Sequence, residues 1–252
     1  MDANTTISDD KRLFSKRFYL AAGECNPEGE LPLTLLVSRM IEVATGHANA
    51  WGVGYRRLIQ DNQGWVLSRV TVEMMRYPRV DEHYRLTTWV EGFNRHFSQR
   101  NMEVTDDNGN VLGYIRTIWM VINFTTRESV DISKLSYIAE HVADKPCPIE
   151  PQRRQRPFEA ETLAEHTFGY ADCDSNRHVN TLRYLDLILN QFPLEWHDAH
   201  QVKRLELAFV SETLYGQTAQ VKVGGEPLDR RADILVDDQP HLRARLVFDP
   251  RV

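Results

Sequence analysis

Little in this 252-residue chain points to a metal, a membrane or a nucleic acid. Cysteine is scarce: Cys25, Cys147 and Cys173 are odd in number and lack metal-type spacing. That predicts no metal, no cofactor and a reducing, cytoplasmic compartment. No apolar run approaches the ~20 residues that span a bilayer. Met1-Asp2-Ala3-Asn4 has neither a basic n-region nor an apolar h-region, so no secretory signal is expected. Basic residues are not in excess: 30 Lys and Arg against 36 Asp and Glu leave a net charge of −6, which argues against nucleic acid as a partner. What is present, 42% hydrophobic and 26% charged residues, is ordinary for a globular chain with length for one large domain or two small ones.

One pattern occurs twice. Residues 11–22 read as a strand containing Phe14, Phe18 and Leu20, after a polar segment over residues 1–10. Asn26-Pro27-Glu28-Gly29 is turn chemistry. Residues 33–50 carry Leu33, Leu36, Val37, Met40, Ile41 and Ala44 on one helical stripe. Strands are expected over residues 65–77, 83–91, 97–105 and 111–124, with Asp106-Asp107-Asn108-Gly109 as a hairpin turn. Pro148, Pro151 and Pro157, with Arg153, Arg154 and Arg156, then erase all periodicity, so residues 147–160 read as a linker. Beyond it come a strand (167–173), a turn, a helix (180–192) stopped by Pro193, and strands near 202–211, 217–224, 230–236 and 241–248. Arg69-Val70-Thr71-Val72 matches Arg204-Leu205-Glu206-Leu207 at an offset of 135 residues, and the helices match near 146. The fold class is α+β, with one module over 11–146 and another over 161–252.

The polar residues concentrate in Asp172-Cys173-Asp174-Ser175-Asn176-Arg177-His178-Val179-Asn180, directly before the second helix. Leu182, Leu185, Ile188, Leu189 and Phe192 form that helix's apolar face, and Asn176 and Asn180 are both candidates for its N-cap. A helix N-terminus offers unpaired N–H groups and a positive dipole end, which suits a developing oxyanion.

Tyr170-x-Asp172-x-Asp174, followed by His178-Val179-Asn180 and Tyr184, resembles the signature of hotdog-fold thioesterases. The tighter pattern Asp174-x-Asn176-x-His178-Val179-Asn180 is similar to that of the plant and bacterial acyl-ACP thioesterases. Trp65-Val66-Leu67-Ser68-Arg69 running to Arg76-Tyr77-Pro78, Thr88-Trp89-Val90, the turn from Gly109 to Gly113, and Trp119-Met120-Val121-Ile122-Asn123 resemble that family's N-terminal half. The resemblance covers most of the chain from about residue 11. It implies two tandem hotdog modules, each a long central helix wrapped by an antiparallel sheet. It also implies hydrolysis of fatty acyl-ACP thioesters, with acyl carrier protein as the partner. Asp174, Asn176 and His178 are then the catalytic residues, joined by Glu212 in the strand after the helix. An acyl-CoA thioesterase and a non-catalytic acyl-thioester binder stand as alternatives. Pairing into a homodimer, beyond the internal hotdog pair, stays open.

On this reading Asp174 and His178 orient each other, and His178 or Glu212 takes a proton from water. N–H groups from His178 to Asn180, with the Asn176 amide, hold the oxyanion. Direct attack by a carboxylate, giving an anhydride, is the variant. An enoyl-thioester hydratase would place its histidine five residues after the aspartate with a proline between, unlike the spacing of four here. Asp172 and Asp174 argue against a reactive Cys173 thiolate, and Thr213 is expected to be a mere strand neighbour of Glu212. The first module's turn, Cys25 to Pro32, has no histidine and no aspartate, so that module is assigned to acyl binding. Met40, Met74, Met75 and Asn180 are the candidate substrate-binding residues, with a plain core as the alternative for the methionines. Glu42 and His47, five apart on the first helix, are poorly spaced for an acid–base pair. The linker arginines are a candidate carrier-protein patch or a solvated surface.

Overall fold

Leu33, Leu36, Val37, Met40, Val43, Ala44, His47 and Ala48 recur every three or four residues, and all are buried along one side of helix α1 (Leu33–Ala50). The computed structural model describes residues 4–134, 139–155 and 157–251, so Arg156 lies outside the described residues. The chain divides into two compact units between Pro151 and Gln152.

In the first unit α1 packs against one antiparallel sheet. Its strands are β1 (Thr5–Ile7), β2 (Phe14–Tyr19), β3 (Gln63–Met74), β4 (His83–Phe93), β5 (Ser98–Asp106) and β6 (Val111–Asn123), in the order β1-β2-β4-β5-β6-β3. Alternation along the strands buries Val70, Val72, Leu86, Met102, Val104 and Ile115 on the helix side. The turn after β5 forms where expected: the Asp106 carboxylate accepts N–H groups of Asn108 and Asn110, and Gly109 takes φ 82°. The N-terminal polar segment is more ordered than its composition implied, because Thr5–Ile7 pairs with Phe14–Lys16. A short helix, α2 (Tyr55–Leu58), precedes β3.

The second unit holds β7 (Ala160–Thr167), helices α3 (Thr181–Leu189) and α4 (Leu194–Ala199), and strands β8 (His200–Phe209), β9 (Thr218–Glu226), β10 (Asp229–Val236) and β11 (Gln239–Pro250). Its antiparallel order is β8-β11-β10-β9-β7. Leu185 and Ile188 of α3 are fully buried, each contributing ~1.5–3 kcal/mol by leaving water.

Two elements depart most from the sequence reading. The strand expected over 167–173 lies instead at Ala160–Thr167, sharing only Thr167 with that span, and a 3₁₀ turn (Tyr170–Asp172) follows, because Asp172 Oδ2 accepts the Gly169 N–H at 2.7 Å. The helix expected to reach 192 stops at Leu189, and Pro193 caps the start of α4 instead of ending α3.

Candidate active site

The turn before α3 is built by one carboxylate. Asp174 Oδ1 accepts the Asn176 N–H at 2.8 Å and the His178 N–H at 3.2 Å. Its own N–H donates to the His178 carbonyl at 2.8 Å, and its carbonyl accepts the Arg177 N–H at 3.0 Å. Closing so tight a loop puts Arg177 in the left-handed region, at φ 66°. The chain is then pinned twice more: Val179 N–H donates to the Thr213 carbonyl and Asn180 N–H to the Asp172 carbonyl, both at 2.8 Å. Asn180 proves to be the N-cap, its Oδ1 accepting the Leu182 N–H at 2.9 Å, while Asn176 stands exposed in the turn.

This framework aims His178 at Glu212. The imidazole Nδ1 lies 3.5 Å from Glu212 Oε1, with side-chain exposures of 29% and 39%. The expected side-chain pairing of Asp174 with His178 is therefore replaced: Asp174 holds the backbone of His178, and Glu212 faces its ring. Glu212 lies in the bend after β8, not within a strand, since β8 ends at Phe209. The oxyanion donors also need correction. The N–H groups of His178, Val179 and Asn180 are all already bonded, to Asp174 Oδ1 and to the Thr213 and Asp172 carbonyls respectively. Helix geometry leaves the next one, on Thr181, outside the intrahelical ladder. The Asn176 amide nitrogen is 3.5 Å from Asp174 Oδ2 and keeps a second N–H.

Thr213 is not a bystander. It is fully buried, its Oγ1 lies 2.7 Å from His241 Nδ1, and its carbonyl holds Val179. Burial raises the Tyr184 phenol against hydrogen bonds from Thr213. Burial also lowers the His241 imidazole, opposed by Asp237 and by the Glu212 main chain. Sequence reasoning missed His241, which is brought here by the register of β11: Val210 and Ser211 N–H groups both donate to its carbonyl. No local spacing could have revealed it.

The remaining candidates fall elsewhere. Met40 and Met74 are buried in the first unit, but Met75 is 63% exposed, so it cannot wall a buried pocket. Cys173 donates to the Gly169 carbonyl at 3.6 Å, and burial raises the thiol of Cys147. Glu42 pairs with Lys16 and Arg39, away from the buried His47. Among the described residues no cluster of three or more His, Cys, Asp or Glu could hold a metal, and no helix is long and apolar enough to cross a membrane.

The first unit contains the same turn with other side chains. Asn26 N–H donates to the Glu30 carbonyl at 3.0 Å, Asn26 Oδ1 accepts the Glu30 N–H at 2.7 Å, and Gly29 N–H donates to the Asn26 carbonyl at 3.0 Å. Leu31 N–H donates to the Pro78 carbonyl at 2.8 Å, as Val179 does to Thr213. The pairs Asn26 and Asp174, Gly29 and Arg177, and Glu30 and His178 are thus 148 positions apart, not the 146 read from the helices. At 148 the buried Leu36, Val37 and Met40 correspond to the buried Tyr184, Leu185 and Ile188, a match that the offset of 146 does not give.

Antiparallel sheets with few helices, and a polar turn feeding a helix N-terminus, define a hotdog-fold protein. Residues 11–139 match the acyl-ACP thioesterase N-terminal domain and residues 155–244 its C-terminal domain. The chain belongs to the acyl-ACP thioesterase family. A chloroplastic palmitoyl-acyl carrier protein thioesterase of Gossypium hirsutum is 26% identical over 226 residues, covering 82% of this chain and 53% of that protein. An acyl-ACP thioesterase of Bacteroides thetaiotaomicron superposes with a TM-score of 0.89 at 29% identity, over 96% of this chain and 100% of its own. The 12:0-ACP thioesterase of Umbellularia californica, at 19% identity and a TM-score of 0.86 over 95% of this chain and 98% of its own, shares the fold. The chain spans about half the length of the first curated relatives it matches.

Proposed function

We propose that this chain hydrolyses fatty acyl-ACP thioesters to free fatty acid and carrier protein. The observation that carries this reading is the His178 imidazole held 3.5 Å from Glu212 at the entrance of a helix. With the Nδ1 proton directed at Glu212, Nε2 keeps its lone pair for a water molecule. The water oxygen bonds to the thioester carbonyl carbon as its proton passes to Nε2, and the carbonyl π pair moves onto oxygen. That oxyanion is met by the Thr181 N–H and the Asn176 amide. Collapse of the intermediate breaks the carbon–sulfur bond, and the departing thiolate takes the proton from the imidazolium. Asp174 acts by positioning, since both its oxygens and its main chain shape the turn. Glu212 keeps the ring in the useful tautomer and steadies its positive charge.

The division into two units, each with a helix packed on an antiparallel sheet and each with the same turn, supports two tandem hotdog modules. In this reading residues 11–146 hold the acyl chain, 147–160 connect, and 161–252 perform the chemistry. Met40 and Met74 belong to the buried interior that faces the chain, and Asn180 serves as helix cap more than as a substrate contact. Incubation with acyl-ACP and a thiol reagent tests the proposal. The parent chain should release thiol as fatty acid forms, and His178→Ala should release none above background. Release by His178→Ala within a few-fold of the parent defeats the assignment. Acyl-CoA run alongside separates the two thioester carriers.

A further inference from the structure

The carboxylate that faces His178 stands on a segment outside regular structure. β8 ends at Phe209, so Glu212 lies in a bend beyond the strand ladder, and something else must set its place opposite the imidazole. One residue of β11 grips the chain on both sides of it. Before Glu212, the His241 carbonyl accepts the Val210 N–H at 2.9 Å and the Ser211 N–H at 3.3 Å. After Glu212, the His241 ring takes over: its Nδ1 lies 2.7 Å from Oγ1 of the fully buried Thr213. The imidazole also hydrogen-bonds the Glu212 main chain, and burial lowers it, so it serves as a neutral hydrogen-bonding group.

The backbone is built to aim that ring. Between β10 and β11, Ile234 pairs with Leu242 and Leu235 with Pro240, so the register skips His241. An extra residue of this kind is a β-bulge, which breaks the alternation of the pleat and re-aims a side chain. Thr213 carries the constraint onward. Its carbonyl accepts the Val179 N–H at 2.8 Å, and hydrogen bonds join it to the buried Tyr184 phenol on α3. The segment bearing Glu212, the turn bearing His178 and the helix behind it therefore meet at one threonine, with His241 on its far side. We propose that His241 is a positioning residue for the hydrolysis: through Thr213 and the Glu212 main chain it fixes the Glu212 carboxylate opposite His178. The inference rests on the hydrolase reading above and adds the residue that sets Glu212 in place. A misplacement of about 1 Å at a reacting centre can cost on the order of 100-fold in rate, so turnover is a sensitive gauge of the link.

Steady-state hydrolysis of acyl-ACP by the full chain provides the test. His241→Leu, which removes the polar ring atoms and keeps apolar bulk, should lower kcat by about ten-fold or more with KM within about two-fold, the pattern of an interaction felt in the transition state. His241→Asn, whose amide can set a polar atom where Nδ1 stands, should keep kcat within about three-fold of the parent. In a Glu212→Gln background His241→Leu should cost less than about two-fold more, because a residue that acts through Glu212 has nothing left to place. A merely structural role would instead give the same loss in both backgrounds. Thr213→Val cuts the link from its other end, should repeat both kinetic results, and decides the matter where His241→Leu does not fold. A folded His241→Leu or Thr213→Val with parental kcat overturns the proposal. So does an equal loss in the two backgrounds, or a His241→Asn no faster than His241→Leu. A parent chain without turnover would defeat the hydrolase reading and this inference with it, whereas parental turnover with an unaffected variant defeats this inference alone.

Discussion

Glu30 occupies, in the turn of the first unit, the place that His178 occupies in the second. Both residues close the same hydrogen-bonded loop, and both form an isolated antiparallel bridge, Glu30 with Arg79 and His178 with Leu214. By the same correspondence Tyr77, one residue before Pro78, stands where Glu212 stands before Thr213. One backbone scaffold thus presents an imidazole and a carboxylate in one unit, and a carboxylate and a phenol in the other. Only the first combination sets an imidazole beside a carboxylate.

Glu212→Gln should lower the acyl-ACP hydrolysis rate by at least ~100-fold, within the range of a lost acid–base partner, while leaving the folded structure intact. The amide keeps the shape but cannot stabilise an imidazolium. Steady-state rates with a circular-dichroism control measure this, and a near-parental rate would remove Glu212 from the mechanism.

Thr213→Val, nearly isosteric, should destabilise the chain by about 0.5–1.5 kcal/mol, since it removes the part-buried hydrogen bond to His241 Nδ1. The urea midpoint reports the loss. Sequence reasoning assigned Thr213 no role, because alternation in a strand would have sent it away from Glu212. The chain bends after Phe209, so alternation does not apply. An unchanged midpoint would make the Thr213–His241 contact incidental.

Iodoacetamide should not abolish activity. All three thiols are free, but Cys147 is buried and Cys25 is raised by burial, with Asp81 and Glu24 adding to the shift. Cys173 donates to the Gly169 carbonyl at 3.6 Å. Complete inactivation with one equivalent of reagent would bring back a cysteine mechanism.

Stability should fall on acidification through a window set by His47. Its folded value is about 3 against 6.5 for an unfolded histidine. Between those values the unfolded chain binds more protons than the folded one. Stability from this residue is therefore full above pH 6.5 and is lost progressively as pH falls toward 3, on the order of a few kcal/mol. Denaturant midpoints should decline over that range, and His47→Gln should flatten the decline. Equal slopes in parent and variant would show that other groups govern it.

Much of the fold was legible because its cues are local. The α1 stripe gave both ends of that helix, and Asp106 to Gly109 gave a hairpin. The 167–173 segment misled because Phe168 and Tyr170 look like strand residues, whereas the Asp172 carboxylate folds back on Gly169. At the site, Asp174, Asn176, His178 and Asn180 were visible as a cluster in sequence. Which atoms meet was not, since the partners of His178 and Thr213 come from segments 34 and 28 residues away.

His178→Glu is the sharpest test of the imidazole. Most changes at a turn confuse lost chemistry with lost structure. Here the protein already places a glutamate at the corresponding position, Glu30, in a turn with the same main-chain hydrogen bonds. The substitution should therefore fold, with a thermal midpoint close to the parent's. It would also set a second carboxylate beside Glu212, and like charges at that distance disfavour the ionised pair. The variant should lose hydrolysis by at least ~100-fold, the scale of a missing general base. A soluble, parent-like fold with parent-like thiol release would show that the turn needs only an acceptor at this position, and that His178 is not the base.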